Sequence, residues 1–190
     1  MNATKQQIRS RMQQMLAGLS DAQIASASAG ACRHVEGLEE YRRCRVMMLY
    51  LPMPGEIDPR PLVSQAWAQG KVVLVPKVIW QSRSMLAVRC DSLTDGLAPG
   101  RYGILEPLAG RPWKIEEIDF ILTPALAYDR SGSRLGRGAG LYDRFLSQPG
   151  LRASVCGFAF DQQVLAEVPT APNDRPVSLL VTDREVLRFD

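Results

Sequence analysis

The sequence predicts an α/β protein: a three-layer fold with a mainly parallel central sheet flanked by helices, opened by an N-terminal helical arm. Three observations predict it. Short, predominantly apolar runs recur at residues 46–51 (VMMLYL), 71–76 (KVVLVP), 120–122 (FIL), 153–158 (ASVCGF) and 177–182 (VSLLVT). Continuous runs, as opposed to apolar–polar alternation, mark strands buried on both faces, and such strands belong to parallel sheets. Segments with apolar residues at helical spacing separate several of them, so strand alternates with helix. Finally, 46% hydrophobic and 23% charged residues in a chain of 190 is the balance of an ordinary globular protein with a sizeable core. No repeat, linker or low-complexity tract divides the chain, so residues 1–190 are expected to form one domain.

Charge and cysteine usage narrow the function. A net charge of +3 is too small to argue for a nucleic-acid partner, so the arginines must matter through local placement. The four cysteines, Cys32, Cys44, Cys90 and Cys156, show no C-x-x-C spacing and read as reduced thiols, not as disulfides or a zinc site. The first sixteen residues lack the apolar core of a signal peptide, and no run approaches membrane-spanning length. A cytoplasmic location with no membrane partner is therefore expected.

Taken in order, Thr4 caps a first helix that places Ile8, Met12, Met15, Leu16 and Leu19 on one face and Lys5, Arg9 and Arg11 on the rest. Ser20 caps a second helix running to about residue 35. His34, the only histidine, lies near the end of this helix and reads as a surface or capping residue. Arg42, Arg43 and Arg45 read as a solvated loop before the strand at 46–51. That strand empties into PMPGEIDP, residues 52–59, which lies where open α/β sheets bind ligands, beyond a strand's carboxyl end. Glu56 in this loop reads as an exposed acid or a helix-start charge. A helix starting at Asp58-Pro59 and closed by Gly70 leads to the strand at 71–76. Lys77 after it reads equally as a contact to substrate and as a solvated charge. Residues 85–89 form a less buried strand, 93–112 an irregular Gly/Pro-rich segment, and 177–182 the final strand.

The informative stretch is 119–146, DFILTPALAYDRSGSRLGRGAGLYDRFL. An apolar strand stopped by Pro124 and a segment of helical periodicity from Leu141 bracket a loop carrying Gly132, Gly136, Gly138 and Gly140 among Arg130, Arg134 and Arg137. Glycines let backbone N–H groups approach an anion, and arginine offers forked donors that match phosphate oxygens. The loop is neither a G-x-x-x-x-G-K-[ST] nor a G-x-G-x-x-G motif. The residues alone argue for an anion site on an α/β enzyme.

The run from Pro124 to Arg144, with its RLGRGAGLYDR core, resembles the signature of the 5-formyltetrahydrofolate cyclo-ligase family, roughly P-x-x-A/G-F-D-x-x-G-x-R-L-G-x-G-x-G-Y-Y-D. Tyr128 stands where Phe is usual, and Leu141 replaces the first tyrosine of the pair; Tyr142 and Asp143 are kept. Weaker likenesses extend over most of the chain. The resemblance implies ATP-dependent conversion of 5-formyltetrahydrofolate to 5,10-methenyltetrahydrofolate, with Mg²⁺ as cofactor and a monomeric enzyme.

The resemblance also distributes roles. Lys5 and Arg9 match a K-x-x-x-R pattern that reaches the ATP phosphates, and at i and i+4 they share a helix face. Arg134, Leu135, Gly136, Arg137, Gly138, Ala139, Gly140, Leu141 and Tyr142 would hold ATP, with Arg137 and Tyr142 catalytic. Leu51 and Glu56 would contact the folate, the Glu56 carboxylate suiting the paired amino and ring N–H donors of the pterin, and Tyr102 or Ile104, in a G-I-x-E-P segment near the folate, would supply a ring-stacking or apolar wall. Asp143 and Asp174, the latter in a V-P-x-x-x-x-D stretch, would position Mg²⁺.

Overall fold

The computed structural model describes residues 4–189, apart from the side chain of Tyr102. Its centre is a seven-stranded sheet. In chain order the strands are β1 (Val46–Met48), β2 (Val72–Ile79), β3 (Ser84–Arg89), β4 (Leu97–Pro99), β5 (Leu105–Pro107), β6 (Phe120–Thr123), β7 (Ala127–Asp129), β8 (Arg134–Leu135), β9 (Ser154–Ala159), β10 (Val164–Leu165), β11 (Leu179–Thr182) and β12 (Val186–Arg188). The large sheet has the order β12-β11-β9-β6-β1-β2-β3. Its five inner strands are parallel, and the edge strands β12 and β3 pair antiparallel. The apolar runs are thus parallel-sheet strands. They need no polar face because both faces are covered.

One face carries α1 (Lys5–Ala17), α2 (Asp21–Gly37), α3 (Glu39–Arg43) and α4 (Pro61–Ala68). The N-terminal arm is α1, and its stripe of Ile8, Met12 and Leu16 is buried in the main core with Leu49, Phe120 and Phe158. Thr4 and Gln7 form the expected capping box, and Ser20 and Gln23 form another ahead of α2. The opposite face is covered more thinly. There α5 (Leu141–Leu146) seats Phe145 against Met48, Leu74, Met85 and Ile121. A small sheet, β10-β7-β8, packs Ala127 and Leu135 into the main core and Tyr128 against Ala159 and Leu180.

Several expected boundaries move. The strand expected over 46–51 pairs only as Val46–Met48, although Leu49, Tyr50 and Leu51 remain buried. The helix expected from Asp58 begins at Pro61; the Asp58 carboxylate instead accepts from the backbone and side chain of Arg60, holding a turn. Arg42 and Arg43 belong to α3, not to a loop. Its C-terminal carbonyls, those of Tyr41, Arg42 and Cys44, accept from the buried Lys71 ammonium at 3.0, 3.2 and 2.8 Å. Lys77 lies inside β2 and donates to the carbonyl of Leu108. The final strand is β12, which short length and alternating exposure conceal in the sequence.

Two adjacent parallel strands, β1 and β6, position everything that follows. Asp119 ties their starts together: its Oδ2 accepts from the backbone N–H groups of Arg45 and Val46 at 2.8 and 2.9 Å. After β1 the chain crosses to β2 on one side; after β6 it crosses to β9 on the other. This reversal of winding opens a crevice at the carboxyl ends of the two strands.

Candidate active site

A cavity fills that crevice. It is lined by Tyr50, Leu51, Met53 and Glu56 from the segment after β1, and by Pro124 and Ala125 directly after β6. The glycine loop closes one side with Arg134, Gly136, Arg137, Ala139, Gly140, Leu141, Tyr142 and Asp143. Pro76 and Val78 of β2, Met85 of β3, and Ile104 and Glu106 close the other. One wall is therefore mostly apolar and the other carries the arginines.

The loop is less irregular than its glycines suggest. Arg134 and Leu135 form β8, paired antiparallel with β7, so only 136–140 is loop proper. Asp129 shapes the turn between β7 and β8. Its Oδ1 accepts from the N–H groups of Ser131 and Ser133, both at 2.9 Å, and from the Ser131 hydroxyl. Its Oδ2 accepts from the N–H of Val168. Burial works against the charge on Asp129, but these hydrogen bonds outweigh it and hold the carboxyl below its ordinary range. The sequence signal for this role was an acid heading a Ser/Gly turn. Gly138 and Gly140 take φ of +109° and +64°, which only glycine adopts freely.

Each expected charged residue is found in an ion pair or hydrogen bond at this site. Arg134, 2% exposed at its side chain, donates to Asp143 Oδ1 at 2.6 Å, and its Nε has no protein partner among the described residues. The same Oδ1 accepts from the N–H of Arg175, which brings the segment following Asp174 to Asp143. Asp174 pairs with Lys5 and accepts from the N–H of Ala171. Burial pushes the Asp174 carboxyl up, but hydrogen bonding to Lys5 and Ala171 leaves it lowered overall. One turn along α1 from Lys5, Arg9 donates to the carbonyl of Gly136 at 3.0 Å. The shared helix face takes Arg9 to the glycine loop and Lys5 to Asp174.

Arg137 and Glu56 join the glycine loop to the segment after β1. The guanidinium donates through Nε and one terminal nitrogen to Glu56 Oε1 at 3.0 and 2.8 Å, while Oε2 accepts from the Met53 N–H. The Tyr142 hydroxyl is buried without a protein partner among the described residues, and the Arg134 guanidinium lies 5.6 Å from its ring centre. Burial pushes the phenol far up, against the smaller opposing effect of Arg134, so Tyr142 stays neutral and offers a hydrogen bond, not a base. The Tyr102 side chain, expected at the ring-stacking wall, lies outside the described residues; its backbone is in the 3-10 turn Arg101–Gly103. The sequence reading missed Tyr50, whose hydroxyl donates to the carbonyl of Ile57 and braces the loop carrying Glu56. No spacing signal marks it, since it stands inside an apolar run.

Among the described residues no group of three or more metal-ligating side chains exists. Asp143 and Asp174 nonetheless each keep one oxygen, Oδ2 and Oδ1, to which no described residue donates. That donor set suits Mg²⁺, which takes one or two carboxylates and completes its shell with phosphate oxygens and water.

Fold and site together define a class: an α/β protein with a small-molecule cavity at the winding reversal of a parallel sheet, one wall apolar and one lined with arginine. Comparison with known proteins makes this specific. The profile of the 5-formyltetrahydrofolate cyclo-ligase family matches residues 1–183. A probable 5-formyltetrahydrofolate cyclo-ligase of Schizosaccharomyces pombe is 33% identical, with 99% of each chain covered. The 5-formyltetrahydrofolate cyclo-ligase of Haemophilus influenzae is 30% identical over 93% of this chain and 97% of its own. The solution structure of Aquifex aeolicus 5,10-methenyltetrahydrofolate synthetase superposes with a TM-score of 0.84 at 32% identity, covering 97% of this chain and 92% of the other. The chain belongs to the 5-formyltetrahydrofolate cyclo-ligase family.

Proposed function

We propose that this protein, as a single-domain cytoplasmic monomer, uses ATP and Mg²⁺ to cyclise 5-formyltetrahydrofolate to 5,10-methenyltetrahydrofolate, releasing ADP and phosphate. The observation that carries the reading is that an apolar wall from β2, β3 and Ile104 and the arginine-bearing loop after β6 share one cavity, with the Glu56–Arg137 pair tying that loop to the segment after β1. A folate and a polyphosphate need those two surfaces side by side.

On this reading the formyl oxygen attacks the γ-phosphorus of ATP. The new O–P bond forms as the bond to the β,γ-bridging oxygen breaks and ADP leaves. The formyl carbon becomes an iminium-like centre bearing phosphate. Nitrogen 10 then attacks that carbon, the C–O bond breaks, and phosphate departs with the nitrogen 10 proton. Such chemistry asks the protein for alignment and charge neutralisation. Lys5, Arg9 and Arg134 supply positive charge at the loop, Arg137 reaches the transferred group, and Tyr142 donates its hydroxyl to an oxygen there. Gly136, Gly138, Ala139 and Gly140 let the backbone approach the phosphates, with Leu135 and Leu141 anchoring the ends of the loop. Leu51 and Glu56 face the folate. Asp143 and Asp174 would hold Mg²⁺, which neutralises charge on the phosphate oxygens when bound.

The test follows near-ultraviolet absorbance of the methenyl product when the protein meets 5-formyltetrahydrofolate, Mg²⁺ and ATP. A rise that needs all three supports the reading. No rise, with ATP still bound, overturns it in favour of a different formyl- or amide-bearing substrate or a binding protein without turnover.

A further inference from the structure

The cavity holds a second carboxylate outside the arginine loop. Glu106, in β5, lines the wall otherwise made by Pro76, Val78, Met85 and Ile104. Glu56 is matched to Arg137, and Asp143 to Arg134. Glu106 has no ion pair or hydrogen bond to its carboxylate among the described residues. Its placement is built in. The carboxyl packs on Gly100, where a Cβ would lie 2.8 Å from its Cδ and 3.0 Å from its Oε1. Gly100 has φ −90°, so the backbone there does not itself require glycine. What glycine provides is room for the Glu106 side chain.

We propose that Glu106 accepts the paired donors of the reduced pterin, N3–H and the 2-amino group, and so selects the substrate by its pyrimidine ring. The inference rests on the proposed function. Nitrogen 5, which bears the formyl group, belongs to the pyrazine ring and must meet the phosphoryl group at the arginine loop. The amino end of the other ring then points towards the wall that carries Glu106. A carboxylate takes two parallel N–H donors well, and one on an apolar wall gains most from a ligand that brings them.

The experiment measures equilibrium binding of 5-formyltetrahydrofolate without ATP, together with KM for both substrates, in the wild type, Glu106→Gln and Gly100→Ala. A 2-desamino analogue of the folate is measured alongside. Losing a charged hydrogen-bond acceptor predicts affinity for the folate down about ten- to a hundredfold in Glu106→Gln, with KM for ATP unchanged. The wild-type preference for the 2-amino compound should also collapse in that variant. Gly100→Ala should weaken folate binding in the wild-type background and change little in Glu106→Gln. A Glu106→Gln enzyme that keeps both its folate affinity and its 2-amino preference overturns the proposal, as does a loss confined to kcat. A wild type that neither binds nor turns over 5-formyltetrahydrofolate fails the functional reading itself, and the assignment of Glu106 falls with it.

Discussion

Replacing Asp143 by Asn keeps shape and removes one charge, and the structure gives that change two separable consequences. The Asp143 carboxylate faces Arg134, whose side chain is 2% exposed while its own is 23% exposed. A hydrogen bond to a charged group contributes about 1.5–3 kcal/mol; with Asp143 partly solvated, the lower end, about 1.5 kcal/mol, applies. For a chain of this length that predicts a fall in Tm of about 3–6 °C in ligand-free protein. The second consequence is electrostatic. With the neutralising acid gone, Arg134 presents its full charge, so Asp143→Asn should bind metal-free ATP at least as tightly as wild type. On the proposed reading, the extra affinity and turnover that Mg²⁺ would confer should shrink, and higher Mg²⁺ should partly restore turnover. Thermal unfolding, ATP titration with and without Mg²⁺, and methenyl formation across a Mg²⁺ series give the four readouts. Wild-type Mg²⁺ dependence in Asp143→Asn would remove this residue from the metal site. An unchanged Tm would refute the energetic argument for the Arg134 pair.

Three further outcomes follow from other parts of the molecule. Glu56→Gln should raise KM for 5-formyltetrahydrofolate more than KM for ATP, while keeping the 2-amino preference that Glu106→Gln loses; the reverse order of KM effects would take Glu56 off the folate wall. Asp129 has a lowered folded-state pKa, so its contribution to stability is fully present above its unfolded value near 4 and is lost as pH falls through the folded value. Asp129→Asn should therefore show lower stability at neutral pH and a flatter decline below about pH 4 than wild type, and parallel pH profiles would contradict that role. Burial pushes the thiols of Cys32 and Cys44 up to about 12 and about 11, so alkylation at pH 8 should be slow in native protein and rapid in denaturant. Rapid native labelling of either would show that the core under α2 and α3 opens.

The five inner strands were legible because burial on both faces forces a composition that few other structures share. Val46–Met48 and Phe120–Thr123 are plain in the sequence for that reason. The small sheet was not: Arg134–Leu135 pairs with Ala127–Tyr128, yet a two-residue strand amid glycines carries no periodicity. β12 was missed because its residues alternate exposed and half-buried on an edge. At the site, the RLGRGAGLYDR run located one wall, and the strand-end rule located Glu56. Partnership was invisible. That Arg137 would hold Glu56, 81 residues earlier, or that Lys5 would hold Asp174, follows only from the crevice that β1 and β6 create.

Those pairings have a common physical origin. On the proposed reading Lys5, Arg134 and Arg137 stand where a polyphosphate would sit, and an array of like charges partly removed from water would open the loop that holds it. Three carboxylates, Asp174, Asp143 and Glu56, balance them one for one in the ligand-free protein. The same balance governs what ligands can do. Phosphate oxygens arriving at Lys5 and Arg134 compete with the two acids, and a divalent cation arriving with the phosphate replaces the charge the acids lose. An anion alone would have to displace both carboxylates without compensation. On the proposed reading, nucleotide and metal binding are therefore coupled by the ion pairs that let the empty site fold, and Lys5→Met should weaken Mg-ATP binding more than it weakens binding of 5-formyltetrahydrofolate. Equal losses for the two ligands, measured by titration, would show that the Lys5–Asp174 pair is a brace for the fold and not part of this exchange.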